Sequence, residues 1–255
     1  MRCPTVTQAI VLRTWPFGES DKIISFFTQG HGKVMGIAKG AKRSRKRFVN
    51  TLEPFALVSL RFQDRPSSSL ALVHACDLIR PFKDLTASLE KIALASYLVE
   101  ITDELTRERE ENRSLFEHLR KGLSFVEEQG SSLSFVTFFE LRLLKLSGYQ
   151  PVLDRCCRCG QRQKTVPGAQ WRFSPRDGGL LCLPCSTLRK EALPLSVETL
   201  DVLASLQRED DFPLVRLSPS PSALQEARSI LPCFIQYQIH KGLKSVTFLN
   251  MFPLA

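Results

Sequence analysis

The sequence predicts an α+β chain of several domains, in which a small closed β-barrel leads into an α-helical bundle interrupted by a compact cysteine module. Three observations carry this. Residues 6–76 alternate apolar and polar side chains in short runs separated by Gly, Pro and Ser; from Asp84 the apolar spacing lengthens to the helical period; and five of the eight cysteines crowd into residues 156–185. With 255 residues and 43% hydrophobic content, the chain can fill two or three packed cores.

Residues 6–13 form a partly alternating, β-rich run, and Pro16-Phe-Gly-Glu19 supplies a turn after it. Lys22–Thr28 and Lys33–Ala38 read as two strands joined through Gln29-Gly-His-Gly32. In Pro54–Phe62, Phe55, Leu57, Ser59 and Arg61 face one way and Ala56, Val58, Leu60 and Phe62 the other. A turn over Gln63–Ser69 then leads into a last strand, Leu70–Cys76. Five short strands with no room for crossover helices between the first three predict an antiparallel sheet that closes on itself, of the oligonucleotide-binding (OB) barrel type.

Leu94, Leu98, Ile101 and Leu105 fall at helical spacing, as do Leu115, Leu119, Leu123 and Val126, and then Val136, Phe139, Leu143 and Leu146. The third of these helices also carries Phe135, Phe138 and Leu141 on other faces, so it is expected in the middle of the bundle and to stop at Gly148 and Pro151. Further helices are predicted over 194–207 and 221–242, with Pro232 kinking or dividing the second and Ser222 as its cap in the loop Ser218–Ser222. Residues 245–252 form a final apolar segment expected to dock on the bundle. The predicted domains are 1–80 (barrel), 81–150 (first helical part), 151–190 (cysteine module) and 191–255 (second helical part).

The loop between the third and fourth strands holds Lys39, Lys42, Arg43, Arg45, Lys46 and Arg47, six cations in nine residues with no acidic residue among them. Such a run cannot fold around itself, so it is expected as a solvated loop neutralised by an anionic partner, nucleic acid above all. Residues 1–80 carry 13 Lys/Arg against 5 Asp/Glu, or +8, while residues 81–255 carry 22 against 21, or +1, which assigns the polyanion surface to the N-terminal third. Lys33 adjoins the run, and Arg13 and Arg61 are further candidates on the barrel face. Phe26, Phe27 and Phe55 are as well explained by a core role as by base stacking.

Cys156-x-x-Cys159-Gly160 and Cys182-x-x-Cys185 are two knuckles separated by 22 residues, with Trp171–Phe173, Asp177–Gly179 and Leu180-Leu181 reading as a hairpin between them. Each knuckle can give two thiolates to one tetrahedral ion, and Gly160 allows the tight turn that brings backbone amides to the sulfurs. Zinc is favoured over a redox dithiol, an Fe–S site or four incidental thiols, because redox motifs come singly and near a βαβ pattern. Four protein ligands leave no open position, so one structural Zn²⁺ is expected, lending the module an apparent ~10–16 kcal/mol. Cys157 is expected to point away, and Cys3, Cys76 and Cys233 to be small buried hydrophobes.

Enzymatic readings find little support. A zinc deaminase needs His-x-Glu, and none of His31, His74, His118 or His240 has Glu two residues on; phosphate-binding Gly loops and nucleophile elbows are absent too. Asp21 reads as a turn or strand-end residue. No apolar run is long enough to span a bilayer and the N-terminus lacks the order of a signal peptide, so a cytoplasmic protein with no membrane contact is expected.

Ala9-Ile-Val-Leu-Arg13, Glu19-Ser-Asp-Lys-Ile23, Gly36-Ile-Ala-Lys-Gly-Ala41, Leu153-Asp-Arg-Cys156 with Cys159-Gly160, and Leu243-Lys-Ser245 with Phe248-Leu249 together resemble the bacterial RecO family of recombination mediators, in order and spacing over nearly the whole chain. The resemblance implies an OB barrel, a helical bundle and an inserted zinc module. It also implies a DNA-repair mediator that binds and anneals single- and double-stranded DNA and, with RecR, helps load RecA onto DNA coated by single-stranded DNA-binding protein, whose acidic C-terminal tail would be a further partner. An RNA-binding or ribosome-associated zinc protein is the alternative, since charge and cysteines do not separate DNA from RNA. A pure scaffold whose bundle binds peptides is a third.

Overall fold

A computed structural model describes residues 3–66, 68–130, 132–163, 170–211 and 219–252. Ser67 of the expected turn and Ser218 of the expected capping loop lie outside the described residues. The chain divides into two compact units, Met1–Gly130 and Ser131–Ala255.

In the first unit β1 (Thr5–Phe17), β2 (Asp21–Thr28), β3 (Gly32–Ala38), β4 (Leu57–Gln63) and β5 (Ala71–Arg80) close a barrel in the order β1-β2-β3-β5-β4. The expected facing of the fourth strand holds: Ala56, Val58, Leu60 and Phe62 enter the core beside Val11, Ile24, Phe26 and Val34, while Arg61 is exposed. One pairing departs from the antiparallel expectation. The long β3–β4 connection lets β4 add to β1, so β5 meets β3 in parallel, through Gly36↔Ala71 and Ile37↔Leu72. β1 also runs past the expected turn to Phe17, with Pro16 placed opposite Lys22 near the hairpin end, where a missing backbone donor is tolerated.

α1 (Leu89–Leu105) and α2 (Arg113–Gln129) pack on each other in this unit, each with a side-chain cap, Ser88 accepting from the Lys91 amide and Asn112 from the Leu115 amide. The segment between them straps the barrel: the Arg109 amide donates to the Lys33 carbonyl at 3.0 Å. Gly32 makes this approach possible, since its φ is +60° and a Cβ there would sit 2.2 Å from the Glu110 carbonyl oxygen.

In the second unit α3 (Leu133–Leu146) packs against α5 (Val197–Arg208) and α6 (Pro221–Ile239). Its phenylalanines Phe135, Phe138 and Phe139 are all buried, as the apolar perimeter predicts. A three-stranded sheet, β7 (Gly179–Cys182), β6 (Trp171–Ser174) and β8 (Leu193–Leu195), carries the cysteine module with the one-turn helix α4 (Leu183–Ser186). The helix expected from 194 starts at Val197, because Leu193–Leu195 pair with β6 and Ser196 caps the helix through the Thr199 amide. Pro232 does not divide α6: it is buried between Leu231 and Phe234, and core packing on both sides holds the helix across the missing hydrogen bond. Ser220, not Ser222, supplies the cap, accepting from the Ala223 amide. The final segment forms α7 (Lys244–Leu249), with Ser245 and Leu249 buried.

Candidate nucleic-acid interface and metal centre

The basic stretch is exposed at all six cations, yet it is not a free loop. Ala41, Phe48, Leu52 and Ala56 turn inward and join the barrel core, so apolar residues spaced through the connection anchor it while the cations between them stay in water. Backbone bonds fix it to three strands. The Gly40 amide donates to Asp21 Oδ1 on β2 at 2.8 Å, the Cys76 amide on β5 to the Arg47 carbonyl at 3.4 Å, and the Phe55 amide to the Val11 carbonyl on β1 at 2.9 Å. The cations are solvated as expected, and the loop that carries them is also pinned, because interleaved apolar residues outweigh mutual repulsion among cations that water still screens.

Asp21 is the hinge of this attachment. The Gly40 amide, then the Ser20 hydroxyl, hold its carboxyl below the ordinary carboxylate range, and Lys39 and Lys42 add to the effect. Lys42 bonds back to the β1–β2 turn, its amide to the Ser20 carbonyl at 2.9 Å and its Nζ to the Gly18 carbonyl at 2.7 Å. Arg47 reaches the Lys39 carbonyl at 3.2 Å and lies over the Phe48 ring.

The other candidates divide. Arg61 is exposed on β4. Arg13 is enclosed by carboxylates of α1, with Nε 2.9 Å from Asp103 and a terminal nitrogen 3.0 Å from Glu104 and 3.9 Å from Glu100. Lys33 joins the same cluster, its Nζ 3.2 Å from the Asp103 carboxylate and 2.6 Å from the Asp103 carbonyl. The structure thus brings Arg13 and Lys33 together as the barrel's attachment to α1 and sets them apart from the six loop cations. Phe26 and Phe27 are fully buried, which settles them as core.

Two aromatic residues escaped the sequence reasoning. Trp15 and Phe17 are 40% and 50% exposed on the end of β1, opposite Ile23 and Asp21, beside the turn that Lys42 grips. Ending the first strand at Arg13 hid them; its continuation as Thr-Trp-Pro-Phe was the available signal.

In the second unit the four expected cysteines converge. The Sγ atoms of Cys156, Cys159, Cys182 and Cys185 all lie within 4.8 Å of one another, with Cys159 and Cys182 3.6 Å apart. Four thiolates around one tetrahedral ion at ~2.3 Å would stand about 3.8 Å apart, so the set can hold a metal ion. Burial pushes the Cys156 thiol up, but the amides of Cys159, Cys182 and Arg158 outweigh it and hold the group down to about 6. Its neighbours go the other way: the Cys182 thiol, with burial, pushes Cys185 up to about 12. Four thiolates this close repel one another, and a cation among them would offset that repulsion. Gly160, at φ +75°, closes the first knuckle with its amide on the Cys156 carbonyl. Cys157 stays outside the cluster, its amide tied to the Leu180 carbonyl and its thiol pushed up to about 11 by burial.

A family model described as Recombination protein O N terminal matches residues 1–82, and one described as Recombination protein O C terminal matches residues 87–247. A protein named DNA repair protein RecO from Syntrophus aciditrophicus (strain SB) is 38% identical over 246 residues, 96% of this chain and 94% of its own. Those of Anaeromyxobacter sp. (strain K) and Thermoanaerobacter sp. (strain X514) are 34% and 31% identical, covering 94% and 96% of this chain and 94% and 96% of their own. The chain belongs to the RecO family of DNA repair proteins.

The N-terminal RecO match ends at residue 82, just past Arg80, where β5 ends and Arg80 ties the barrel to α2 through Glu127 at 2.6 Å and Ser124 at 3.1 Å. The N-terminal RecO match contains the basic loop, and the C-terminal one contains all four clustered cysteines. Among the described residues no helix is long and apolar enough to cross a membrane.

Proposed function

We propose that this chain is a non-enzymatic recombination mediator that binds single- and double-stranded DNA with Lys39, Lys42, Arg43, Arg45, Lys46 and Arg47, with Arg61 as an outlying contact. The observation that carries the reading is the pinned loop, which holds six exposed cations in place by burying Ala41, Phe48, Leu52 and Ala56. Ordering cost is met in folding and not in binding, so each phosphate contact keeps more of its counterion-release gain. Trp15 and Phe17 offer ring faces beside the loop for unpaired bases, a sequence-tolerant contact suited to a protein that must accept any strand.

Annealing follows from the same charge. Two complementary strands repel through their phosphates, and a fixed polycation lowers that repulsion while keeping both strands near each other. Cys156, Cys159, Cys182 and Cys185 would hold one structural Zn²⁺, which folds the module and takes no part in chemistry. Acting with RecR, and recognising the acidic C-terminal tail of single-stranded DNA-binding protein, the chain would promote RecA loading onto coated single strands in the cytoplasm, on the nucleoid.

The test is a salt titration of single-stranded DNA binding with the wild type and with a variant in which the six loop cations are replaced by Gln. The slope of log affinity against log salt should fall by about 0.7 per lost phosphate contact, or roughly 4 in all. An unchanged slope would refute the assignment.

A further inference from the structure

The near neutrality of residues 81–255 conceals two opposite segments. Residues 81–130 carry 7 Lys/Arg against 11 Asp/Glu, or −4, whereas the cysteine module over 151–190 carries 8 against 2, or +6. A second concentration of positive charge therefore lies in the second unit, and nothing in the loop assignment accounts for it.

Beside it is a cleft. The β6–β7 turn and the end of α6 border an open cleft of about 720 Å³ whose lining includes Arg176, Glu191, Cys233, Tyr237, His240 and Lys241. Arg176 and Lys241 are exposed, and Arg176 has no acidic partner among the described residues. Asp177, the acidic residue in the turn, is engaged by Arg189 at 2.9 Å and by the Ser174 hydroxyl at 2.7 Å. Tyr237 is 42% exposed, and the His240 ring packs against it edge-on with centroids 6.2 Å apart.

We propose that this cleft is a second site for single-stranded nucleic acid, in which Arg176 and Lys241 neutralise backbone phosphates and an unpaired base stacks on Tyr237. A half-exposed aromatic ring flanked by cations is the minimal single-strand contact. A cleft of this size has room for about one or two nucleotides. An acidic peptide is the less favoured occupant, since two exposed cations beside a half-exposed aromatic ring match a phosphate next to a stacked base. Two features oppose an anion: the Glu191 carboxylate and the partial negative charge at the α6 C-terminus, which Lys241 and Lys244 follow directly. The inference takes from the proposed function only the nature of the polyanion; the site itself is separate from the loop.

The experiment uses the full chain loaded with zinc and a mixed-sequence single-stranded oligonucleotide carrying 5-iododeoxyuridine, with salt titrations and mass-spectrometric mapping of photo-cross-links. The variant lacking the six loop cations should keep a weaker, salt-dependent affinity and a cross-link at Tyr237. Adding Arg176→Ala and Lys241→Ala should reduce that residual affinity at least tenfold, Tyr237→Ala should reduce it about 5- to 100-fold, and Glu191→Gln should tighten it. Arg176→Lys with Lys241→Arg should leave it in place, which separates charge from folding. Residual binding indifferent to Arg176→Ala and Lys241→Ala overturns the proposal, as does a glutamate-rich peptide that occupies the cleft where the oligonucleotide gives no cross-link. Loss of all binding on neutralising the loop sinks this site and leaves the loop reading intact. Affinity unmoved by the loop changes but abolished by those in the cleft does the reverse.

Discussion

Arg13 has Asp103, Glu104 and Glu100 of α1 around it, and Lys33 shares Asp103. Replacing Arg13 with Ala would leave largely buried carboxylates facing one another, so the change should cost about 1–3 kcal/mol of stability. A lowered urea midpoint with an unaltered salt slope for DNA binding is the expected result; a shallower slope would return Arg13 to the interface. Sequence reasoning grouped Arg13 with the phosphate contacts because its partners lie about 90 positions downstream, on an element whose orientation no local pattern records. The four clustered cysteines were legible for the opposite reason, since each pair needs only a local turn to bring two sulfurs together, whereas Cys3 and Cys233, expected to be buried, are exposed.

At the scale of elements, the connection between β3 and β4 combines two functions that its composition shows unequally. Six cations announce themselves in any reading of charge, whereas Phe48 and Leu52 look like ordinary loop residues until the barrel is closed around them. Phe48→Ala should destabilise the first unit by about 3–5 kcal/mol. It should also weaken DNA binding without changing the number of cations, because the loop would have to be ordered on association. Urea unfolding and a DNA titration on the same sample check both; full affinity in a destabilised variant would separate the anchor from the interface. Strand number and facing were readable from alternation, but the parallel β3–β5 pairing was not, since it depends on where β4 goes once the long connection is complete.

Across the whole molecule, two compact units predict two separable stabilities. The barrel core is built within the first unit and the cysteine cluster within the second. Chelation of the metal should therefore abolish or strongly lower the unfolding transition of the second unit while leaving that of the barrel in place, and Cys159→Ala should reproduce this without chelator. Differential scanning calorimetry with metal analysis tests it, and one transition that shifts as a whole would contradict it. The carboxylates that hold Arg13 and Lys33 have a reach beyond stability. Residues 1–80 carry +8 and residues 81–130 carry −4, and a charge asymmetry of this kind would exert a torque on the unit in the field of a polyanion before contact. On the proposed function, that asymmetry would help turn the basic loop toward approaching DNA while the two are still separated by water. In dilute salt, fewer encounters would then be wasted on the wrong face.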